Sequence, residues 1–173
     1  MSVIGMAGQE TGAAANFAAL GTSGVRIALE RPDQPEVMAL IDELDAYQKP
    51  LYPAESHHGV DMAALLQPDM AFAVARDGEG RALGCGAVWC TPAFGELKRM
   101  FVRPQCRGLG VARALLGLLE AQARARGCAA MALETGIHQH EAIALYQRAG
   151  YRFCPPFGAY LADPYSVFMQ KPL

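Results

Sequence analysis

QCRGLGVARALL, residues 105–116, is the stretch on which the reading of this chain turns. It follows the strand-like ending MFVRP and opens a run of helical spacing. The first N–H groups of a helix have no intrahelical partner, and the helix dipole gives that end a partial positive charge. Where the residues there lack bulky side chains, a pyrophosphate can rest directly on those N–H groups. Gly108 and Gly110 lie at that junction and Arg107 adds a mobile positive charge. The stretch therefore predicts either an anion site or no more than a tight turn before a helix. It is not a Walker loop, because no Gly-Lys-Ser/Thr follows.

Working outward, Leu109, Ala112, Leu115, Leu116, Leu119 and Ala123 trace one face of a helix of about 18 residues that stops at Gly127. Residues 128–134 read as a strand, 139–149 as a helix ended by Gly150, and 151–153 and 165–169 as short strands. Upstream, 96–102 is a strand halted by Pro104. Residues 70–75 and 82–90 are strands joined by a DGEG hairpin. Residues 25–30 alternate as a first strand. Pro35 opens a helix that buries Val37, Leu40, Ile41 and Leu44, and Asp61 caps a short helix over 62–66. The loop 49–59 between these helices holds His57 and His58, which read as surface residues or as contacts to a bound ligand. The class is α+β with a mixed sheet. A doubly wound dinucleotide fold would place its glycine loop after the first strand; here it follows the fourth.

The chain has 173 residues, 52% hydrophobic and 18% charged, consistent with one folded domain. A formal charge of −2 provides no overall attraction to nucleic acid or to acidic membranes. No apolar run reaches the roughly 18–20 residues of a membrane span. Five cysteines without a CxxC pair argue for a reducing compartment, by default the cytoplasm, and against a disulfide framework or a zinc site. Residues 1–24 lack the pattern of a signal peptide. They are expected to be a loosely ordered tail, in which 17–20 can dock as a short helix, ahead of a single domain over 25–173.

Two segments together resemble one known family. Gln105-x-x-Gly108-x-Gly110, after MFVRP and before ARALL, is similar to the acetyl-CoA motif of the GNAT superfamily of N-acetyltransferases. QHEAIALYQRAGY, residues 139–151, resembles the second half of that pattern, with Gln139 where the family commonly has asparagine. LYPAES (51–56), LETG (133–136) and PPFGAYLADPYSVFM (155–169) are similar to the bacterial indoleacetate-acetyltransferase-type members, a label that does not establish an indole substrate.

The resemblance implies a mixed, mostly antiparallel sheet that splays between the fourth and fifth strands, flanked by about four helices. Acetyl-CoA would lie in the gap, its pantetheine along Met100, Phe101 and Val102, and its pyrophosphate on Arg107, Gly108, Leu109, Gly110, Val111 and Ala112. Arg113 and Arg103 are candidates for outer phosphates or are solvated charges, and Gln139 is a further cofactor contact. Tyr146 occupies the position of the family's proton donor to the leaving thiolate, and also contacts the cofactor. Glu134 is the favoured base, with Glu96 acting through water as the second candidate; desolvation of the amine with neither is the third. Tyr52, Phe157 and Tyr160 are candidates to wall the acceptor pocket. No metal is implied. The function read from this is transfer of an acetyl group to a primary amine of a small molecule or peptide; the alternative is a CoA-binding sensor without turnover. The exposed gap and the C-terminal strand leave edges through which a homodimer can form, as in many members of the family.

Overall fold

The computed structural model describes residues 18–20 and 24–173. Strand β1 (Ala18–Leu20) pairs antiparallel with β2 (Val25–Leu29), Ala18 opposite Ile27. The helix expected over 17–20 is therefore a strand at 18–20, because the edge of β2 offers backbone partners that one helical turn lacks. Residues 1–17 and 21–23 of the expected tail lie outside the described residues.

Helix α1 (Pro35–Gln48) starts at its proline and buries Val37, Leu40, Ile41 and Leu44. A short helix α2 (Met62–Leu65) follows, and the Asp61 carboxylate accepts the Ala64 N–H at 2.8 Å. Strands β3 (Met70–Arg76) and β4 (Ala82–Cys90) form the expected hairpin. Its turn is tied by Asp77, which accepts the N–H groups of Glu79 and Arg81 at 3.0 and 2.9 Å. Then come β5 (Gly95–Val102), α3 (Val111–Ala125), β6 (Ala130–Gly136), α4 (His140–Arg148), β7 (Arg152–Cys154) and β8 (Ser166–Pro172). Helix α3 begins two residues later than its apolar stripe suggests. Gly110 takes the left-handed conformation (φ 78°) as N-cap, and Leu109 is left 54% exposed in the loop. Gly127 and Gly150 end α3 and α4 at φ 84° and 95°, the left-handed stop that the sequence predicts.

The eight strands form one sheet in the order β1-β2-β3-β4-β5-β6-β8-β7, and β5–β6 is its parallel pair. The expected fourth and fifth strands are thus β5 and β6. They pair only through Gly95–Met131, Glu96–Ala132 and Leu97–Leu133. Beyond these, β5 stays with β4 while β6 continues along β8, from Glu134 opposite Phe168 to Gly136 opposite Ser166. The sheet is therefore splayed at the expected place.

A bulge in β5 marks the start of the splay. Phe101 lies opposite Cys85 and Lys98 opposite Ala87, so Arg99 and Met100 together face Gly86. Arg99 sits at φ 53°, unusual for a residue with a side chain. Its guanidinium is anchored on the Asp45 carboxylate and on the Val60 carbonyl, which accepts from Nη2 at 2.6 Å and from Nε at 3.0 Å. The bulge thereby ties β5 to α1 and to the loop before α2.

Apolar side chains bury both faces. On one, α3 (Val111, Leu115, Leu119) packs with Leu97, Leu133, Tyr146 and Tyr151. On the other, α1 packs with Phe72, Val74, Ala87 and Phe101. Among the described residues no helix is long and apolar enough to cross a membrane.

Candidate active site

Where β5 and β6 part, a narrow cleft of about 100 Å³ opens. Leu97, Met100, Leu133 and Tyr146 line it from the α3 side, and Leu44, Gln48, Tyr52 and His58 from the α1 side. Because its lining comes from both layers, the cleft passes through the sheet.

Glu134 and Tyr146 meet in this cleft. The last residue of β6 paired with β5, Leu133, faces α3, so the pleat turns Glu134 to the opposite side. Its Oε1 accepts the Ser166 hydroxyl at 2.6 Å, and Oε2 has no hydrogen-bond partner among the described residues. Burial pushes the Glu134 carboxyl above the usual carboxylate range, against the pull of Ser166, His58 and Lys98. Tyr146 projects from α4 into the core and is 5% exposed. Its ring lies 5.8 Å from that of Tyr151, and its hydroxyl makes no hydrogen bond among the described residues. Burial first, and the nearby Glu134 second, raise its pKa well above the ordinary phenol value.

Glu96, the second candidate base, is 4% exposed and stands outside the cleft. Its Oε1 pairs with Lys98 Nζ at 2.6 Å and accepts the Tyr160 hydroxyl at 2.6 Å. The bland region ELKRMFV hid this ionic cluster, although a glutamate and a lysine within a buried strand are the signal that could have exposed it. Ser166 carried no such signal.

At the head of α3, Gly108 and Gly110 both have positive φ, 77° and 78°, and nothing stands within 4 Å of where a Cβ would lie. These glycines shape the loop and leave open space over it. The N–H groups of Val111, Ala112 and Arg113 have no backbone partner among the described residues. Arg107 donates to the Val102 carbonyl at 3.3 Å and to Glu141 at 3.1 Å. Arg113 is exposed and has no ion pair among the described residues, whereas Arg103 is drawn away to Glu43 at 2.7 Å. Phe101 is not brought to the cleft: its ring is buried on the α1 side. Val102 packs its side chain toward α3 and presents its carbonyl to Arg107. Gln139, the N-cap residue of α4, lies beside the Tyr52 hydroxyl, yet its Nε2 is buried without a hydrogen-bond partner among the described residues. A buried, unsatisfied donor is costly, and a ligand acceptor would satisfy it. Among the described residues no group of three or more His, Cys, Asp or Glu side chains could hold a metal.

Tyr52 closes the cleft over the end of β6. Its hydroxyl accepts the His138 N–H at 3.1 Å, and its ring stacks on His138 at 5.7 Å. A Cβ on Gly136 would lie 2.1 Å from the Tyr52 hydroxyl and ring carbon. Gly136→Ala therefore displaces Tyr52 from the cleft and destabilises the fold by about 1–3 kcal/mol, as read by thermal melting. His57 holds the Tyr52 carbonyl at 3.0 Å, and His58 faces Asp163 at 3.6 Å. Both line the cleft, with His57 exposed and His58 half-buried, which fits the reading of this loop as carrying either surface histidines or ligand contacts.

The Acetyltransferase (GNAT) family profile matches residues 37–151. The chain is 49% identical over 151 residues to an IAA acetyltransferase of Azospirillum brasilense, covering 86% of this chain and 98% of that one. It superposes on a candidate acyl-CoA N-acyltransferase of Klebsiella pneumoniae with a TM-score of 0.76 at 44% identity, over 85% of this chain and 96% of the other. An aminoglycoside 6'-N-acetyltransferase complexed with coenzyme A shares the fold at 18% identity and a TM-score of 0.61, over 84% and 96%. With the split parallel pair, the glycine-led α3 and the paired motifs, these likenesses show that the chain belongs to the GNAT family of N-acetyltransferases.

Proposed function

We propose that this enzyme transfers an acetyl group from acetyl-CoA directly to a primary amine of a small molecule or peptide. The observation that carries this is the meeting of Glu134 and Tyr146, from β6 and α4, in one cleft through the sheet. Acetyl-CoA supplies the acetyl group as a thioester: the amine nitrogen bonds to the carbonyl carbon as the carbon–sulfur bond breaks and the thiol departs.

The residues present fit such a donor. The N–H groups and open space at 108–113 would hold the pyrophosphate, with Arg107 and Arg113 beside it. The unpaired side of β5 at Met100 and Val102 would take the pantetheine amides, and the orphaned Nε2 of Gln139 would donate to a carbonyl. Glu134, kept basic by burial, takes the proton that the ammonium must lose. Tyr146, kept protonated by burial, holds a proton for the departing sulfur. Leu97, Met100 and Leu133 give the cleft an apolar wall on the α3 side, beside Tyr146.

Acetyl-CoA at a hundred times its Kd is expected to stabilise the protein by about 2.7 kcal/mol, a rise in Tm of roughly 5–11 °C. Free thiol should then appear with a panel of amines. No melting shift at saturating acetyl-CoA would sink the proposal, and a shift without thiol release on any acceptor would make the chain a sensor.

A further inference from the structure

Beside the cleft, and joined to it through Ser56, His58, Lys98 and Tyr165, lies a broader open cavity of about 790 Å³. Small-molecule sites commonly measure about 300–1,000 Å³. It lies between the end of β4, the start of β5 and the segment 158–165. Trp89, Phe94, Tyr160 and Tyr165 bring aromatic rings to its walls. Trp89 and Tyr165 are each 39% exposed within it, and Leu161 at its edge is 84% exposed. The Trp89 ring is fixed, its Nε1 donating to Asp69 at 2.7 Å. Tyr160 is held edge-on by Phe157 and His58, both at 5.2 Å.

Among the charged side chains of the cavity, Glu55 is left without an opposite charge. Its basic residues already face carboxylates, Lys98 on Glu96 at 2.6 Å and His58 on Asp163 at 3.6 Å. Asp163 is held below the usual carboxylate range, chiefly by the Tyr165 N–H that it accepts at 2.8 Å. Glu55 has no ion pair among the described residues. A ligand carboxylate entering here would lose water and find no free cation. An ammonium would meet the Glu55 carboxylate, which has no ion pair among the described residues, and the faces of aromatic rings.

From this we infer that the acceptor is a primary amine carried on an aromatic or similarly bulky apolar body, with no carboxylate next to the amine. The body lies against Trp89 and Tyr165, and the amine reaches Glu134 through the shared boundary of the two cavities. The inference rests on the acetyltransferase reading above and names the substrate class of that site.

The test compares phenethylamine with phenylalanine, and with putrescine as a cation that has no apolar body, by thiol release on the full chain. The kcat/KM for phenethylamine should exceed both on the order of tenfold, since like charges set together are strongly disfavoured. Trp89→Ala should raise the phenethylamine KM roughly tenfold with kcat little changed. Equal or better use of phenylalanine or putrescine, or an unchanged KM in Trp89→Ala, overturns the inference. Trp89 is the chain's single tryptophan, so its emission reports occupancy without turnover. Saturable quenching by phenethylamine with no thiol release from any amine refutes the acetyltransferase reading and supports the cavity assignment. Thiol release with other amines, and no quenching by phenethylamine, refutes the assignment alone.

Discussion

Tyr146→Phe is expected to lower kcat by about 10²–10⁴-fold, the range of a positioned general acid, while leaving acetyl-CoA binding and folding nearly unchanged. The geometry separates these effects cleanly. The ring is packed in the α3-side core against Tyr151, and phenylalanine keeps that packing. The hydroxyl makes no hydrogen bond among the described residues, so its removal leaves no buried partner unsatisfied. A tyrosine placed there for packing alone would be replaceable by phenylalanine without cost. Burial and the Glu134 carboxylate both hold its proton in place, so the group is an acid throughout the neutral range. Thiol release measures kcat, and the melting shift with acetyl-CoA measures binding. A change in kcat of less than about twofold would remove Tyr146 from the chemistry.

Glu134→Gln should lower kcat/KM at neutral pH by about 10²–10⁴-fold and at the same time make the protein more stable. Burial raises the folded carboxyl above its unfolded value, so the folded state binds the proton more tightly. The cost of ionising it is absent below the unfolded value and builds up as pH rises through the unfolded and then the folded value. Glutamine removes that cost and retains an oxygen to accept the Ser166 hydroxyl. The Tm of the variant should exceed that of the wild type at neutral pH and converge with it in acid. Wild-type kcat/KM should rise with pH through the raised Glu134 value, and the variant should lose that limb. If Glu96 were the base, the limb would survive in Glu134→Gln. A wild-type acid limb that persists there at full rate rules out Glu134.

The turn chemistry of this fold is local and could be read residue by residue. Gly110, Gly127 and Gly150 bracket the helices because a left-handed backbone strongly favours glycine, and Asp61 caps because its side chain reaches its own helix. The second family motif placed Tyr146, and the family resemblance placed Glu134 at the end of the fifth strand; the fold gives both to the lining of one cleft. Features that depend on distant partners were not legible. Nothing in AAL at 18–20 announces a strand; the free edge of β2 makes it one. Arg99 at positive φ runs against local preference and is held by Asp45 and Val60, remote in sequence. The start of α3 was misplaced because Leu109 fits the helical stripe, while Gly110 breaks the backbone just after it. Lys98, Glu96 and Tyr160 likewise form one cluster only once the segment after β7 has folded back over β5.

The seam between β5 and β6 is three residue pairs long, and it is where the first strands of the sheet meet the last ones. A sheet joined so briefly at one place behaves as two plates with a short weld, stiff within each plate and compliant across the join. A molecule lying along both free edges completes the missing rungs and acts as a splint. Ligand affinity and the mechanical rigidity of the join thereby become one quantity. With the donor lying along these edges as proposed above, a substitution that loosens the weld would be felt first as weakened donor binding and only later as unfolding.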